Sequence, residues 1–197
     1  MDLLIATTNQ HKLAEFRGLF RALPYQVMSL SDVGITDEVA ETGLTFRENA
    51  IAKAEGYAAL SGLLTLADDS GLAVDALGGR PGVFSARYGG PNADPPTQHR
   101  LLLQELQGVL WEQRTAQFVC GIAMAQRGRT TAYVERQWPG LVAWAPQGSH
   151  GFGYDPLFWL PDEGCTAGEL PPDQKNRISH RAMAAQAAHA LLLDWPG

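Results

Sequence analysis

Short apolar runs and amphipathic stretches follow one another along this chain, and the two patterns predict buried strands and core-facing helices respectively. The apolar runs are too short to be helices, and several are apolar at every position, as in strands buried on both faces. In chain order, we predict strands at 3–6, 25–30, 63–66, 117–126, 130–138, 141–145 and 157–160. Arg127-Gly128-Arg129 is a turn signal, so the fourth and fifth strands are expected to form a hairpin.

Helices are expected where a capping residue precedes an apolar stripe. Asn9 precedes a stripe formed by Leu13, Phe16, Phe20 and Leu23. Thr45 and Glu48 form a capping box, which predicts a helix from near Phe46 to about Leu60. Two further helices are expected, one capped by Thr97 and reaching Leu106, and one capped by Ser179 and ending near Leu193.

The acidic stretch from Ala67 to Gly79 is the first candidate for chemistry. We expect Asp68 and Asp69 to end the strand at 63–66 and Gly71 to let the chain turn away. Two carboxylates at a strand end can hold a hard cation, or one can act as a base while the other binds the metal. An ordinary solvated turn explains the same residue types equally well. Glu41 is expected to be solvated unless it pairs with the two aspartates.

The junction between the first strand and the first helix is a candidate anion site. From Thr7 to Lys12 it offers hydroxyls, an amide, a lysine and the free N–H groups of a helix start, and phosphate is the usual occupant of such a site. Asn9 is expected to cap the helix in any case. The alternative is that Asn9 only caps and that Lys12 is solvated.

Two stretches near the C-terminus supply further candidates. In 148–156, glycines alternate with Phe152, Tyr154 and Asp155, so an aromatic ring could stack on a planar ligand while the carboxylate accepts from a ring N–H. A tight turn with core aromatics is the alternative. Lys175, His180 and Arg181 cluster around the start of the last helix, either at a site or on a solvated helix start.

Composition narrows the class of protein. The net charge of −6 gives no basic field for a nucleic acid polymer, so phosphate binding must depend on local lysines. The two cysteines have neither metal-ligand nor disulfide-framework spacing. No apolar run approaches membrane-spanning length and no leader pattern opens the chain, so a cytoplasmic protein without membrane partners is expected.

Segments spread over nearly the whole chain together resemble the inosine/xanthosine triphosphate pyrophosphatase family. They are Ala6 to Lys12, Glu41 to Ala54, Ala67 to Leu72, Pro81 to Tyr88, Gly151 to Pro156 and Ser179 to Arg181. The resemblance implies an α/β fold with a long mixed β-sheet flanked by helices, two lobes around a central substrate cleft, and a homodimer. It also implies hydrolysis of ITP, dITP and XTP to the monophosphate and pyrophosphate, which clears deaminated purines from the nucleotide pool.

The resemblance also implies roles for individual residues. Asp69 would be the general base and a ligand of Mg²⁺, Glu41 a second ligand, and Asp68 an outer partner of the metal. The phosphates would be held by Thr7, Thr8, Asn9, Gln10, His11 and Lys12, with charge from Lys53 and Lys175. Ser70 would contact the substrate, and the base would be surrounded by Phe152, Gly153, Tyr154, Asp155, His180 and Arg181. Thr8 and His11 stand where many relatives have glycine.

Two other classes of function are weighed against this one. A nucleotide-binding regulator that does not hydrolyse would need the lysines and the base pocket, but it would not need Glu41, Asp68 and Asp69. A magnesium-dependent kinase is disfavoured because the chain has no Gly-x-x-x-x-Gly-Lys-Ser/Thr loop. With no repeat or flexible linker in the sequence, residues 1–197 are expected to form a single domain.

Overall fold

A computed structural model describes residues 2–193 of the chain. The helices are α1 (Gln10–Leu19), α2 (Phe46–Ser61), α3 (Pro95–Glu105), α4 (Pro172–Ile178) and α5 (His180–Leu193). The strands are β1 (Asp2–Ile5), β2 (Gln26–Ser29), β3 (Leu64–Val74), β4 (Thr115–Gln126), β5 (Arg129–Val142), β6 (Phe158–Leu160) and β7 (Cys165–Thr166).

The strands form one seven-stranded sheet in the order β2-β1-β3-β4-β5-β6-β7. β1 runs parallel to both β2 and β3, whereas the β5–β6 and β6–β7 pairs are antiparallel. The sheet is therefore mixed, and the predicted α/β class with a long mixed sheet and helices is confirmed. Arg127 and Gly128 have φ angles of 52° and 73°, the left-handed pair that a tight hairpin turn between β4 and β5 requires.

The chain divides into two compact units. The first contains 1–69, 120–136 and 181–197, and the second contains 70–119 and 137–180. In the first unit, Leu3 and Ile5 of β1 pack in one apolar cluster with Phe16 and Phe20 from the α1 region. Leu4, the residue between them, belongs to a second cluster with Ala50 and Ala54 of α2. Successive β1 residues thus supply two cores, as expected for a strand buried on both faces.

Helix α2 begins and ends as its sequence predicts. The Thr45 side chain accepts from Glu48 N–H, the Glu48 carboxylate accepts from Thr45 N–H, and Gly62 ends the helix with a φ of 70°. Ala50, Ala54 and Ala58 of this helix are buried, but Asn49 and Lys53 are buried as well. Burial of an amide and an ammonium group is costly unless each has polar partners, so both side chains are expected to form hydrogen bonds or ion pairs.

In the second unit, Arg114 is among the largest fully buried side chains. Its guanidinium donates to the carbonyl groups of Leu106, Val142 and Ala143 and lies 4.3 Å from the Trp144 ring centroid. These bonds join the end of α3 to the end of β5 and satisfy a charge that burial would otherwise disfavour.

The prediction that Asp68 and Asp69 end a strand is wrong. β3 continues through both residues to Val74, and both carboxylates are buried. Gly71 serves close packing instead of a turn, since a Cβ on it would overlap the Gly82 carbonyl oxygen and the Ser85 Oγ. The Asp-Asp-Ser-Gly sequence favours a turn when only local preferences are considered. These preferences do not include the distant partners that stabilise the same residues within a strand.

Two smaller predictions also differ from the structure. α3 is capped by Asp94, whose carboxylate accepts from Thr97 N–H, and not by Thr97 itself. β5 runs through Pro139 to Val142, so the break after Trp138 and the separate strand at 141–145 are wrong. Residues Gly82–Arg87, for which no element is predicted above, form a 3₁₀ helix.

Across residues 2–193, none of the helices has both the length and the apolar character needed to cross a bilayer.

Replacing Gly71 by alanine tests the close-packing explanation. We expect Gly71→Ala to lower the free energy of unfolding by about 1–3 kcal/mol, because the added methyl group must displace backbone at Gly82. Urea unfolding followed by circular dichroism measures the change. Unchanged stability would show that the 82–85 segment yields freely and that Gly71 is not required for packing.

Candidate active site

At the N-terminus of α1, two of the backbone N–H groups that the sequence offered for an anion donate to the cap at Asn9. The Asn9 side-chain oxygen accepts from the N–H groups of His11 and Lys12, at 2.9 and 3.2 Å. Thr7 Oγ1 in turn accepts from Asn9 N–H at 3.2 Å, and the Gln10 amide reaches the Thr8 carbonyl at 3.5 Å. The predicted cap at Asn9 is therefore confirmed. The segment is mostly exposed, as an anion-binding helix start must be.

A buried ion network surrounds Asp68. Its Oδ2 lies 2.9 Å from Lys12 Nζ and 3.1 Å from Arg181 Nη2. Arg181 also binds Glu15 through its other terminal nitrogen, at 2.5 Å. The network joins β3 to the first turns of α1 and α5, three elements far apart in the sequence, and it aligns Lys12 beside the exposed α1 start.

Lys53 and Asn49 extend the polar cluster from the buried side of α2. Lys53 Nζ lies 2.8 Å from Glu41 Oε1 and donates to the Asp68 carbonyl at 2.7 Å. Asn49 Nδ2 donates to Asp69 Oδ2 at 2.9 Å. Glu41 thus lies in the same cluster as the aspartates. The site residues predicted within the first unit lie either in this polar cluster or at the adjoining start of α1. They are the residues at 7–12, Glu41, Lys53, Asp68, Asp69 and Arg181.

The two aspartates differ electrostatically. Burial opposes ionisation of Asp68, but the charges of Lys12, Arg181 and Lys53 outweigh it, so the pKa of that carboxyl lies well below its ordinary value. At Asp69 burial dominates over Lys53 and Lys12, and the pKa of its carboxyl is raised. A permanently ionised carboxylate organises cations, whereas a carboxyl with a raised pKa is better matched to accepting a proton.

Lys53 stays charged despite its burial. Desolvation lowers the pKa of its ammonium group, but the charges of Asp68, Glu41 and Asp69 more than compensate, and the pKa is raised overall. A positive charge is thereby fixed between the Glu41 carboxylate and the Asp68 carbonyl.

The donor set fits a hard divalent cation that retains other ligands. Within residues 2–193, no group of three or more His, Cys, Asp or Glu side chains is arranged to hold a metal ion. Glu41 and Asp69 are nevertheless close enough for the charge of Glu41 to raise the pKa of the Asp69 carboxyl. A cation near both would relieve that repulsion. Mg²⁺ is commonly bound by one or two carboxylates together with waters and substrate phosphates, which is the donor chemistry that Glu41 and Asp69 offer.

In the second unit, Asp155 organises the glycine-rich loop. Its Oδ2 accepts from Phe152 N–H at 2.7 Å and from Lys175 Nζ at 2.6 Å. Lys175 lies within α4, and its Nζ is 5.0 Å from the centroid of the half-buried Phe152 ring. Gly151 has a φ of 73°, and a Cβ there would overlap the Asp155 carboxylate. The loop therefore combines an aromatic face with a buried ion pair.

The remaining predicted residues of this unit have different environments. Tyr154 is buried, and its hydroxyl donates to the Ser85 carbonyl at 3.0 Å. The neighbouring Gly153 carbonyl accepts from His99 Nε2 at 2.7 Å. His180 is buried with its ring nearly parallel to that of Phe118, at 4.7 Å between centroids. Ser70 is half-buried within β3.

Sequence reasoning did not select Glu15, Asn49, His99 or Phe118 as parts of these clusters. Two of them had a usable signal. Glu15 lies three residues after Lys12 on α1, and Asn49 lies four residues before Lys53 on α2, so each pair shares a helix face. His99 and Phe118 had none, because their contacts join segments distant in the sequence.

Comparisons with known proteins agree with the resemblance seen in the sequence. A family model described as the Ham1 family matches residues 3–191. A protein of Geobacillus kaustophilus named dITP/XTP pyrophosphatase is 52% identical over 183 residues, which are 93% of this chain and 90% of that protein. One of the same name from Bacillus subtilis is 47% identical over 97% of this chain and 96% of its own. The structure of a HAM1 protein from Coxiella burnetii superposes with a TM-score of 0.89 at 39% identity, covering 99% of this chain and 100% of that one.

The ion network predicts a pH-dependent cost for Asp68→Asn. Removing one partner of a buried ion network destabilises by about 3–5 kcal/mol, and in Asp68→Asn Lys12 loses its counter-charge while Arg181 keeps only Glu15. The pKa of Asp68 is lowered on folding, so its contribution is complete above the unfolded value of about 3.9 and is lost as the pH falls below it. Urea unfolding at pH 7 and at successively lower pH measures the difference, which should shrink in acid. A difference independent of pH would contradict this role of the Asp68 charge.

Proposed function

The chain belongs to the Ham1 family, and we propose that it is a nucleoside triphosphate pyrophosphohydrolase that converts ITP, dITP and XTP to the monophosphate and pyrophosphate. The observation that carries this proposal is the similarity, at 52% and 47% identity over nearly the whole chain, to two proteins named dITP/XTP pyrophosphatase. The physical support is a cation-rich helix start beside two inequivalent carboxylates, which suits hydrolysis of a polyanion. Clearing deaminated purines from the nucleotide pool is the proposed role.

The phosphates are bound, in this proposal, by the segment from Thr7 to Lys12 together with Lys53. A triphosphate carries about four negative charges at neutral pH and needs local donors in a chain of net charge −6. Lys12 contacts Asp68 and Lys53 contacts Glu41, so both ammonium groups are already ordered before the substrate arrives. Ordered cations lose little side-chain entropy on binding, which favours affinity.

Asp69 is the proposed general base. With Glu41 it would hold Mg²⁺, while Asp68 acts as an outer partner that orients Lys12. Bound Mg²⁺ would neutralise charge on the phosphate oxygens and lower the pKa of its water. Asp69 takes the proton as water attacks the α-phosphorus, and the α–β anhydride bond breaks to release pyrophosphate. The raised pKa of its carboxyl makes Asp69, and not Asp68, the better proton acceptor.

Base recognition is assigned to the loop from Phe152 to Asp155, with His180, while Lys175 adds positive charge for the phosphates. The Phe152 ring offers a stacking face, and the proposed donors to a 6-oxo oxygen are the N–H groups of Gly153 and Tyr154, since those of Phe152 and Asp155 bond within the loop. An adenine amino group would leave such donors unpaired, which a site built on hydrogen bonds rejects strongly. Contact of Ser70 with the substrate and of Arg181 with the base stay predictions. In the structure, the Arg181 guanidinium binds Asp68 and Glu15.

We further propose that residues 1–197 act as one functional domain, that the protein is a cytoplasmic homodimer, and that nucleic acid polymers and membranes are not partners. The rival function, a regulator that binds purine nucleotides without hydrolysis, does not need Asp69 beside Glu41. It is therefore the less favoured reading of this cluster.

Product analysis tests the reaction. Incubation with ITP, XTP, ATP and GTP, with and without Mg²⁺, should yield pyrophosphate and the monophosphate selectively from ITP and XTP, and only with the metal. Equal rates with all four nucleotides would retain the hydrolase but contradict the base-recognition proposal. Orthophosphate as the first product would contradict α–β cleavage, and bound ITP without turnover would indicate the regulator.

Replacing the proposed base tests the mechanism. We expect Asp69→Asn to lower kcat by about 10²–10⁴-fold, the usual contribution of a general base, while the protein stays folded. Asp37→Asn removes a carboxylate from an exposed position and serves as the matched control, with unchanged kcat. Substantial activity in Asp69→Asn would remove this residue as the base.

A further inference from the structure

Helix α2 contacts the same two segments through both of its buried polar side chains. Lys53 joins Glu41 Oε1 to the Asp68 carbonyl, at 2.8 and 2.7 Å. Asn49, about one helical turn earlier, joins the Gly43 N–H to Asp69 Oδ2, at 2.8 and 2.9 Å. Each side chain therefore spans from the 41–43 segment to the acidic pair of β3. Lys53 does so with charge, and Asn49 with an amide.

The Gly43 N–H decides which way the Asn49 amide faces. A backbone N–H can only donate, so the atom of Asn49 that contacts it must be the carbonyl oxygen. The amide NH₂ then necessarily faces the Asp69 carboxylate, to which it can only donate. Asn49 is 1% exposed, so water does not compete for either bond.

Gly43 is required for this arrangement. A Cβ on residue 43 would lie 2.8 Å from Asn49 Oδ1 and 2.6 Å from Glu48 Cβ, closer than packed atoms allow. The glycine thus brings its own N–H within reach of the amide. Since Glu48 is held by the capping box of α2, neither it nor Asn49 can move away without disturbing the helix start.

We propose that Asn49 is a positioning residue for hydrolysis: it fixes the Asp69 carboxylate by a hydrogen bond whose direction is set by the Gly43 N–H, and it thereby links that carboxylate to the segment that carries Glu41. Asn49 has no place in the roles assigned above. This inference rests on the proposed function, in which Asp69 acts on the attacking water.

An isosteric substitution separates the two bonds of Asn49. In Asn49→Asp, a carboxylate oxygen can still accept from the Gly43 N–H, but nothing donates to Asp69, and a second negative charge faces it. We expect kcat for ITP to fall about 10²-fold, the cost of a catalytic group displaced by roughly 1 Å. KM should change little, since Asn49 contacts neither Lys12 nor the α1 start.

The matched control is Asn92→Asp, which makes the same chemical change at an exposed loop position and should leave kcat and KM unchanged. Circular dichroism and thermal melting establish that each variant is folded. Where Asn49→Asp does not fold, Asn49→Ser carries the kinetic measurement, because its hydroxyl is too short to bridge the Gly43 N–H and Asp69. Wild-type kcat in a folded Asn49 variant would overturn the proposal, as would a rise in KM that accounts for the whole loss.

A second readout does not depend on activity. Urea midpoints of Asn49→Ala, Asp69→Ala and the double variant form a cycle that measures the coupling of the two side chains. We expect the free energy of unfolding to fall less in the double variant than the sum of its falls in the two single variants. Additive losses would overturn the proposed contact.

The failures of the two proposals are distinguishable. Full activity in Asp69→Asn with coupled midpoints would contradict the proposed base while leaving the Asn49–Asp69 contact intact. An inactive Asp69→Asn with wild-type kcat in Asn49→Asp would contradict the positioning role alone.

Discussion

A single buried carboxylate, that of Asp68, compensates the charges on which the first unit's polar cluster depends. Lys12 and Arg181 each place a nitrogen within about 3 Å of the same oxygen, and they come from the starts of α1 and α5. Without this carboxylate, the half-buried Lys12 would lose its counter-charge and the buried Arg181 would keep only Glu15, beside a third cation, Lys53. The network therefore joins the sheet to two helices, and it fixes an ammonium group beside an exposed helix start.

Adjacent residues of one strand have acquired opposite properties in this cluster. Side chains of successive strand residues point to opposite faces, so Asp68 and Asp69 meet different partners although they are neighbours in the chain. Asp68 faces Lys12 and Arg181, which keep it ionised. Asp69 faces the Asn49 amide, and its burial is less fully compensated. Two carboxyl groups with separated pKa values are the usual basis for dividing catalytic roles between them.

Helix α2 shows why a mostly apolar pattern can hide buried polar residues. Its residues Ala50, Ala54 and Ala58 pack in the core. Asn49 and Lys53 lie on a second buried side, where each links the segment before the helix to the end of the acidic pair. A side chain on a helix is positioned more precisely than one on a loop. Such a position suits a group that holds a carboxylate in one orientation.

Local sequence determined the parts of the protein that depend on local physics. The Asn9 cap, the capping box of α2, the Arg127-Gly128 turn and the buried run of β1 all follow from interactions among near neighbours, and each was predicted. The full span of β3, the passage of β5 through Pro139 and the cap at Asp94 were missed. In β3, polar residues that resemble a turn become buried strand residues once Lys12, Arg181 and Asn49 supply partners from elsewhere in the chain. Tertiary structure alone decided which aspartate would hold cations and which would receive an amide, because that choice depends on contacts between segments up to 113 residues apart.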